Sequence, residues 1–536
     1  MLNDDVLLSV LSRSSRQTAA SMMATCHFLY HEGAKVILRD WPVAFDSIAS
    51  EHKALSLLRF IQAEHFSRCS YVRKLYVSMQ PMPAAIAQSL AGLVPRMTSL
   101  ISLFLNIEQA LESHRSLLSG FASLRSVKDL VVNGSERSCE LIQSLQSQLV
   151  SVQLYFSPYS PGSGQRLYLN AAFHPLIMLQ RSVLTLKALF CGFWCDMDPR
   201  IFVSLPNVWY PNMHTLTLYE CRNPQGLSPY IKSFPSLAHL IVEENGSLWD
   251  SDYAPLAGFQ RNMNLAQQGT SSTGGTLSWK QLHDYTGRLV DLWFLGLSCP
   301  ISRLRLEDTP TERPPHALTD VLGYARPTEL TIAFRRCSLT DILKADFLGA
   351  LCTGGASGMR RLTFLIELRG KDRDLDMGRA LGDIGATISR LNLTHLDIRV
   401  NDDGLGESEE AADKPVAPIA NREGAPRASA SASEPLSLGE RTLEEFDVDA
   451  FIWRLLGSIR TLQDTLVSIQ SPCRCGGAMR GARVKTPGLG FPGDGWESEP
   501  DQVAVLCKEV ECVKESDDAW WSEIAALNIQ VNNLKM

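Results

Sequence analysis

Cys473 and Cys475, with Cys507 and Cys512 further on, are the residues whose type best suits metal chemistry, because four thiolates can surround a tetrahedral zinc ion. Paired ligands in structural zinc sites are typically spaced by about two to four residues. Cys473 and Cys475 are separated by one, so unpaired loop thiols are expected and no metal. Gly354-Gly355-Ala356-Ser357-Gly358 matches a nucleophile elbow only loosely, because the glycine after the serine stands one position too early. Neither a phosphate-cradling Walker loop nor a zinc-binding H-E-x-x-H helix occurs. His31-Glu32 has the residue types of an acid/base pair but falls where the solvated face of a helix is expected. With no reactive constellation and no cofactor signature, a non-enzymatic, binding role is expected.

Binding chemistry has more to work with. Several short segments have the form x-L-x-(L/V/I/F), beginning at Lys74, Ser102, Thr215, His239, Arg303, Glu329, Arg361 and His395. Alternation of this kind predicts half-buried strands whose leucines face a core. The residues between the leucines then share the opposite face. Tyr76, Phe104, Tyr219, His239, Arg303, Arg305, Glu307, Arg361, Asp397 and Arg399 are therefore expected to line a surface for a protein target, Arg and Tyr being enriched at binding hot spots. Nothing in the sequence names that target.

Helical stripes separate the strands. Met377, Leu381, Ile384, Ile388 and Leu391 fall on one helix face, and Leu117, Leu118, Phe121 and Leu124 form a similar stripe before a strand at Leu130. Core leucines recur at steps of 28 (Leu75 to Leu103), 27 (to Leu130), 24 (Leu216 to Leu240), 26 (Leu304 to Leu330), 32 and 34 residues. Over roughly residues 70–400 the pattern resembles the long, helix-containing class of leucine-rich repeats, without the asparagine usual at each turn. An ordinary α/β domain also alternates strands and helices. The polar positions Lys74, Thr217, His239, Arg303, Arg361 and His395 favour the repeat array, since a sheet covered on both faces is apolar on both. The expected fold class is α/β, a leucine-rich-repeat-like solenoid of helix and strand units over 41–400.

The 536 residues, 45% hydrophobic, can bury a large core, and a repeat array reaches this length by stacking. A net charge of −7 argues against general nucleic-acid binding. The basic stretch Arg474–Lys485 is spread among glycines and is expected to be a solvated loop. No secretory leader and no apolar run long enough to span a membrane is apparent, so a cytoplasmic or nuclear protein is expected. Thirteen cysteines, among them Cys26, Cys191, Cys221 and Cys337, suit reduced, mostly buried thiols. Three stretches are too poor in apolar residues to order themselves: Asn262–Lys280, Asn401–Arg441 and the glycine-rich Pro472–Pro500. The middle one, 401–441, sets off a C-terminal continuation over 442–536. That continuation is expected to hold a helix near Leu443–Leu456, a strand near Leu466–Ile469 and a terminal segment with Trp520 and Trp521.

Residues 1–40 read as three short amphipathic helices. Asn3 is a helix-capping type, Asp4 and Asp5 suit a first turn, and Val6, Leu7, Val10 and Leu11 make one stripe. Met22, Met23, Cys26, Leu29 and Tyr30 make a second, and Val36, Ile37 and Leu38 a third. The order L-x-x-[DE]-[VIL]-L-x-x-[VI]-L, followed by Ala24-Thr25-Cys26-His27-Phe28-Leu29, resembles an F-box, and the layout resembles that of fungal F-box proteins. Asn3 stands where the family usually has proline, and the family's loop leucine is absent between Ser12 and Thr18. The resemblance implies binding to the Skp adaptor of a cullin-based ubiquitin ligase through Leu2, Val6, Leu7, Val10, Leu11, Met23 and Cys26, with the repeats holding the target protein. The alternative is a repeat scaffold with no ligase role, in which these helices cap the first strand.

Overall fold

The computed structural model describes residues 3–46, 51–156, 173–192, 208–219, 228–243, 254–269, 278–308, 316–334, 338–343, 345–405, 436–470 and 479–485. The protein is mixed α/β and falls into two compact units, residues 1–285 with 294–299 and residues 286–293 with 300–536.

The first unit opens with three helices, α1 (Asp4–Arg13), α2 (Arg16–Met23) and α3 (His27–Asp40). Its strands are β1 (Val43–Asp46), β2 (Lys74–Ser78), β3 (Ser102–Leu105), β4 (Asp129–Gly134), β5 (Ser151–Phe156), β6 (Ala188–Gly192), β7 (Thr215–Tyr219), β8 (His239–Glu243) and β9 (Leu282–Gly287), which lie side by side in chain order. All pairings from β1 to β8 are parallel. Parallel neighbours need a crossover between them. The crossovers carry α4 (Glu51–Gln62), α5 (Ala84–Leu93), α6 (Glu108–Ser113), α7 (Arg115–Ala122), α8 (Glu136–Ser144), α9 (Pro175–Met178), α10 (Ser228–Ser233) and α11 (Ala254–Gly269). Successive helices touch: α4 packs on α5, α5 on α7, α7 on α8 and α8 on α9.

Register lines up the core. Leu75, Leu103, Leu130, Val152, Leu189, Leu216 and Leu240 stand beside one another across β2 to β8. Two residues on, Val77, Leu105, Val132, Leu154, Cys191, Leu218 and Val242 form a second row. Both rows are buried, and so is a third set three residues before the first: Val72, Leu100, Val127, Leu149, Leu186, Met213 and Leu237. Each unit of chain therefore sinks three apolar side chains in the pattern Φ-x-x-Φ-x-Φ, each buried leucine contributing about 1.5–3 kcal/mol.

A backbone junction recurs at the strand starts. The N–H groups of Ile101 and Ser102 both donate to the Arg73 carbonyl, and those of Lys128 and Asp129 both donate to the Ile101 carbonyl. The same double donation links Val150 and Ser151 to Lys128, Lys187 and Ala188 to Val150, and His214 and Thr215 to Lys187. It continues with Ala238 and His239 on His214, and His283 and Asp284 on Ala238. The loops beneath are satisfied by buried hydroxyls. Ser147 Oγ donates to the Leu124 carbonyl and accepts from Val127 N–H, while Ser182 Oγ accepts from Leu149 N–H.

The second unit repeats the scheme with β10 (Ile301–Asp308), β11 (Glu329–Phe334), β12 (Arg361–Arg369), β13 (His395–Gly404) and β14 (Asp464–Gln470), parallel and in chain order. Helices α12 (Leu289–Leu295), α13 (Ala317–Ala325), α14 (Leu339–Ile342), α15 (Ala345–Leu351), α16 (Met377–Ile388), α17 (Leu438–Glu444) and α18 (Val448–Ser458) accompany them. Leu304, Leu330, Leu362 and Leu396 align, and the double donation recurs on the carbonyls of Thr328, Arg360 and Thr394. A last strand, β15 (Met479–Lys485), pairs antiparallel with β14.

All eight strands expected from alternation are present, and the stripe from Met377 to Leu391 is the buried face of α16 and the residues after it. Other expectations need correction. Asn262–Gly269, expected to lie in a mobile insertion, is the second half of α11. There the Asn264 and Gln268 amides donate to the Phe294 and Gly296 carbonyls, so polar side chains do the docking that apolar ones usually do. The single helix expected near Leu443–Leu456 is two, because Asp447 caps the start of α18 by accepting from Ala450 N–H. Within the glycine-rich stretch, Met479–Lys485 is β15 rather than a solvated loop, and Arg483 pairs with Asp464 at 2.7 Å. The stretch from Asn401 to Arg441, expected not to order itself, is strand at its start, where β13 runs to Gly404 beside β14, and helix at its end, where Ser437 caps α17; residues 406–435, Trp520 and Trp521 lie outside the described residues.

One carboxylate fastens two crossovers together. Glu108, at the start of α6, accepts from the N–H groups of Ser135, Arg137 and Ser138 and from the hydroxyls of Ser135 and Ser138, at 2.6–3.1 Å. It thereby caps α8, where the helix dipole favours a negative charge. Burial pushes the Glu108 carboxyl up, but the serine hydroxyls and backbone N–H groups outweigh it and hold the group below the ordinary glutamate value. Glu108→Ala should cost about 2–3 kcal/mol, the expected penalty for stranding those donors, in chemical denaturation of the full chain. Because the folded-state pKa is depressed, this contribution is complete above the unfolded-state value and is lost as pH falls through the folded one, so the gap between wild type and variant should close in acid.

Candidate functional site

The N-terminal helices pack around Leu11, Ala19, Met23, Leu29 and Ala34, with Leu7, Met22, Phe28 and Phe60 against them. Asn3 caps α1 by accepting from Asp5 N–H. Gly33 lets α3 approach closely: a Cβ there would lie 2.5 Å from Met23 Cγ. The seven residues expected to face an adaptor are split by this packing. Leu11 and Met23 are core, Leu7 is half-buried, and Val6, Val10 and Cys26 are exposed. Leu2 lies outside the described residues. Val6 and Val10, one helical turn apart, share an open face of α1. The stripe expected from Met22 to Tyr30 is divided between α2 and α3, with Cys26 as the capping residue of α3.

The same helices are tied to the first strands. Arg68 is fully buried, its guanidinium 4.5 Å from the centroids of both the Tyr30 and Phe60 rings. It donates to Glu64 at 2.7 Å, and Glu64 also pairs with His31. The Arg68 guanidinium holds the Glu64 carboxyl below its ordinary range. These contacts brace a turn in which Glu64, His65 and Phe66 all adopt positive φ, a conformation that costs non-glycine residues about 1–2 kcal/mol each.

The residues expected to line a target surface fall into local groups on the sheet face opposite the core. In the first unit it is aromatic. Tyr76 and Phe104 stack with centroids 4.2 Å apart and planes 12° from parallel. Phe190, not anticipated from sequence, sits between Tyr155 and Tyr219, at 4.8 and 6.0 Å. Tyr219 is buried rather than open, because its ring leans on Phe190. Gly192 makes this possible: a Cβ there would come within 2.9 Å of the Tyr155 ring. His239 lies beside Asp284, its Nδ1 2.5 Å from Oδ2, and His283 Nδ1 is 3.1 Å from the same oxygen. One donor atom from each of these three residues lies within 4.8 Å of the others, the one such grouping among the described residues.

In the second unit the corresponding face is charged. Arg305 pairs with Glu307 at 3.7 Å, Arg361 with Glu329 at 3.8 Å and Arg399 with Asp397 at 2.8 Å. Arg303 and Arg361 are the exposed members. Of the three pairs only Arg361 with Glu329 is exposed at both ends, and an exposed pair contributes little to stability, roughly 0–1 kcal/mol. Of the cysteines, Cys69, Cys139, Cys191 and Cys299 are buried and Cys26 and Cys352 exposed. Burial pushes the Cys299 thiol up to about 11, well above the range of a reactive thiolate. Cys221, Cys337, Cys473, Cys475, Cys507 and Cys512 lie outside the described residues.

No protein-family model matches the chain, and no curated protein does. Among the described residues no helix is long and apolar enough to cross a membrane.

Asp284 and Phe190 carried a legible signal that alternation alone did not use. Phe190 lies one residue after the core Leu189, and Asp284 lies between Leu282 and Tyr285, which keep the same Φ-x-x-Φ spacing. The different exposures within α1 are directly testable. Leu11→Ala should lose about 2–5 kcal/mol of stability. Val6→Asp and Val10→Asp should each stay within about 0.5 kcal/mol of wild type, all three read by denaturation of the full chain.

Proposed function

We propose that this protein is a non-enzymatic substrate-recognition subunit of a Skp/cullin/F-box ubiquitin ligase, built as a leucine-rich-repeat-like solenoid behind an F-box-like segment. The observation that carries the reading is an N-terminal three-helix segment that keeps Val6 and Val10 open to solvent, directly ahead of parallel strand units stacked in chain order. An apolar pair left exposed on a small helical segment suits a protein partner. The recurring Φ-x-x-Φ-x-Φ burial and the repeated double donation onto one carbonyl support the repeat part, since each unit of chain meets its neighbour in the same way. In this reading Val6, Leu7 and Val10 meet the Skp adaptor, while Leu11 and Met23 support them from beneath. The target lies against the aromatic or the charged face of the strands.

A second reading, a repeat scaffold whose N-terminal helices are only a cap, is favoured by the buried Arg68 and its Tyr30, Phe60 and Glu64 contacts, which join α3 to the first crossover. Affinity purification with mass spectrometry separates the two. Under the ligase reading, the intact chain brings down a Skp adaptor, and a V6D/V10D variant loses the adaptor while keeping its other partners. Under the scaffold reading neither sample contains an adaptor, and deleting residues 1–40 lowers the melting temperature without changing the partners.

A further inference from the structure

Between β8 and β9 the chain makes its longest described excursion within the first unit, 45 residues from His239 to Asp284, and carries α11 on the way. His239 and Asp284 are the second donors at their strands' shared-carbonyl junctions, His239 on the His214 carbonyl and Asp284 on that of Ala238. They are lateral neighbours for that reason, and His283, one residue earlier, turns its ring to the same place, the two imidazole centroids lying 5.7 Å apart. Three atoms converge there: His239 Nδ1 and His283 Nδ1, at 2.5 and 3.1 Å from a single Asp284 oxygen. The imidazoles are partly open, at 40% and 56% of side-chain exposure, and Asp284 is the inner member at 22%.

We infer that His239, His283 and Asp284 form a binding site for a divalent transition-metal ion of the zinc class. Two imidazole nitrogens and a carboxylate oxygen are a donor set suited to zinc, which takes nitrogen and oxygen ligands at about 2.0–2.2 Å. The ion enters by small rotations of the three side chains, which now spend their donor atoms on one another, and water from the open side completes a tetrahedron. Both Nδ1 atoms must be unprotonated to ligate, so on uptake each Nδ1 proton is released to solvent or passes to Nε2 of the same ring. Because one ligand precedes the excursion and two follow it, the ion clips its ends together, where closing a long loop is entropically most expensive.

Zinc binding by the full chain, stripped with chelator and read by elemental analysis after dialysis, tests the site. Any zinc taken up by the cysteines is common to all samples, so the difference between them is what counts. The wild type should hold one more equivalent of zinc than H239Q/H283Q, and Asp284→Asn, which removes the anionic ligand itself, should weaken that equivalent by more than the roughly tenfold typical of losing a supporting group. Zinc should also raise the melting temperature of the wild type above that of the variants, since binding to the folded state stabilises it. His283→Gln alone changes the most exposed ligand and serves if the double variant fails to fold. Equal zinc content in wild type and a folded His283→Gln variant, whether zero or more, overturns the assignment.

Discussion

Strand after strand, from β3 to β9 and from β12 to β14, begins where its predecessor's carbonyl allows. Two consecutive N–H groups closing on one carbonyl, at position after position from Arg73 to Ala238 and again from Thr328 to Thr394, set the stagger between neighbouring strands. Side chains in a strand alternate faces with a period of two, so a slip of one residue would turn every leucine outward. The junction and the leucine rows therefore reinforce each other. The carbonyl fixes where a strand starts, and three buried apolar residues around it make any other start costly.

The crossovers between strands vary in length, yet the strands do not drift, because the variation is absorbed at points held by polar atoms. Glu108 gathers five donors from the start of α8, and Asp372 accepts from Ser338 Oγ and from the N–H groups of Leu339 and Arg369 in the second unit. Ser147 and Ser182 fill the same need with hydroxyls. Buried donors and acceptors of this kind are expensive to leave unmet, so a crossover that satisfies them is pinned even when its apolar content is low. Helix α11 is the extreme case: Asn264 and Gln268 hold it by backbone carbonyls, which is why a segment poor in leucine is still ordered.

The face left over by this scheme is free to differ along the chain, and it does. Small residues and rings on β2 to β7 give an aromatic surface, with Gly192 making room for Tyr155, while the second unit carries alternating Arg, Asp and Glu. The N-terminal helices obey a different rule. Their core is small, and Arg68 between two rings adds what apolar burial alone supplies poorly in so short a segment.

Period-two alternation made eight strands legible, and the spacing of Met377, Leu381, Ile384 and Ile388 made a helix legible, because both patterns are local. Asn3 as a cap and the first N-terminal helix were legible for the same reason, whereas the stripe from Met22 to Tyr30 spans two helices and Val36, Ile37 and Leu38 belong to the second of them. The strand at Met479–Lys485 was not, since glycine and arginine there gain their strand only by pairing with β14. Nor was the break at Asp447, where one capping hydrogen bond ends one helix and starts another. Which of Val6, Leu7, Val10 and Leu11 face outward depends on α2 and α3 closing over one side of α1. The meeting of His239 with Asp284 across 45 residues depends on strand register, and the burial of Tyr219 on a ring from the preceding strand. Residue type and local period determine what each segment can form; which side chains meet is decided by neighbours distant in the chain, whose positions no local pattern records.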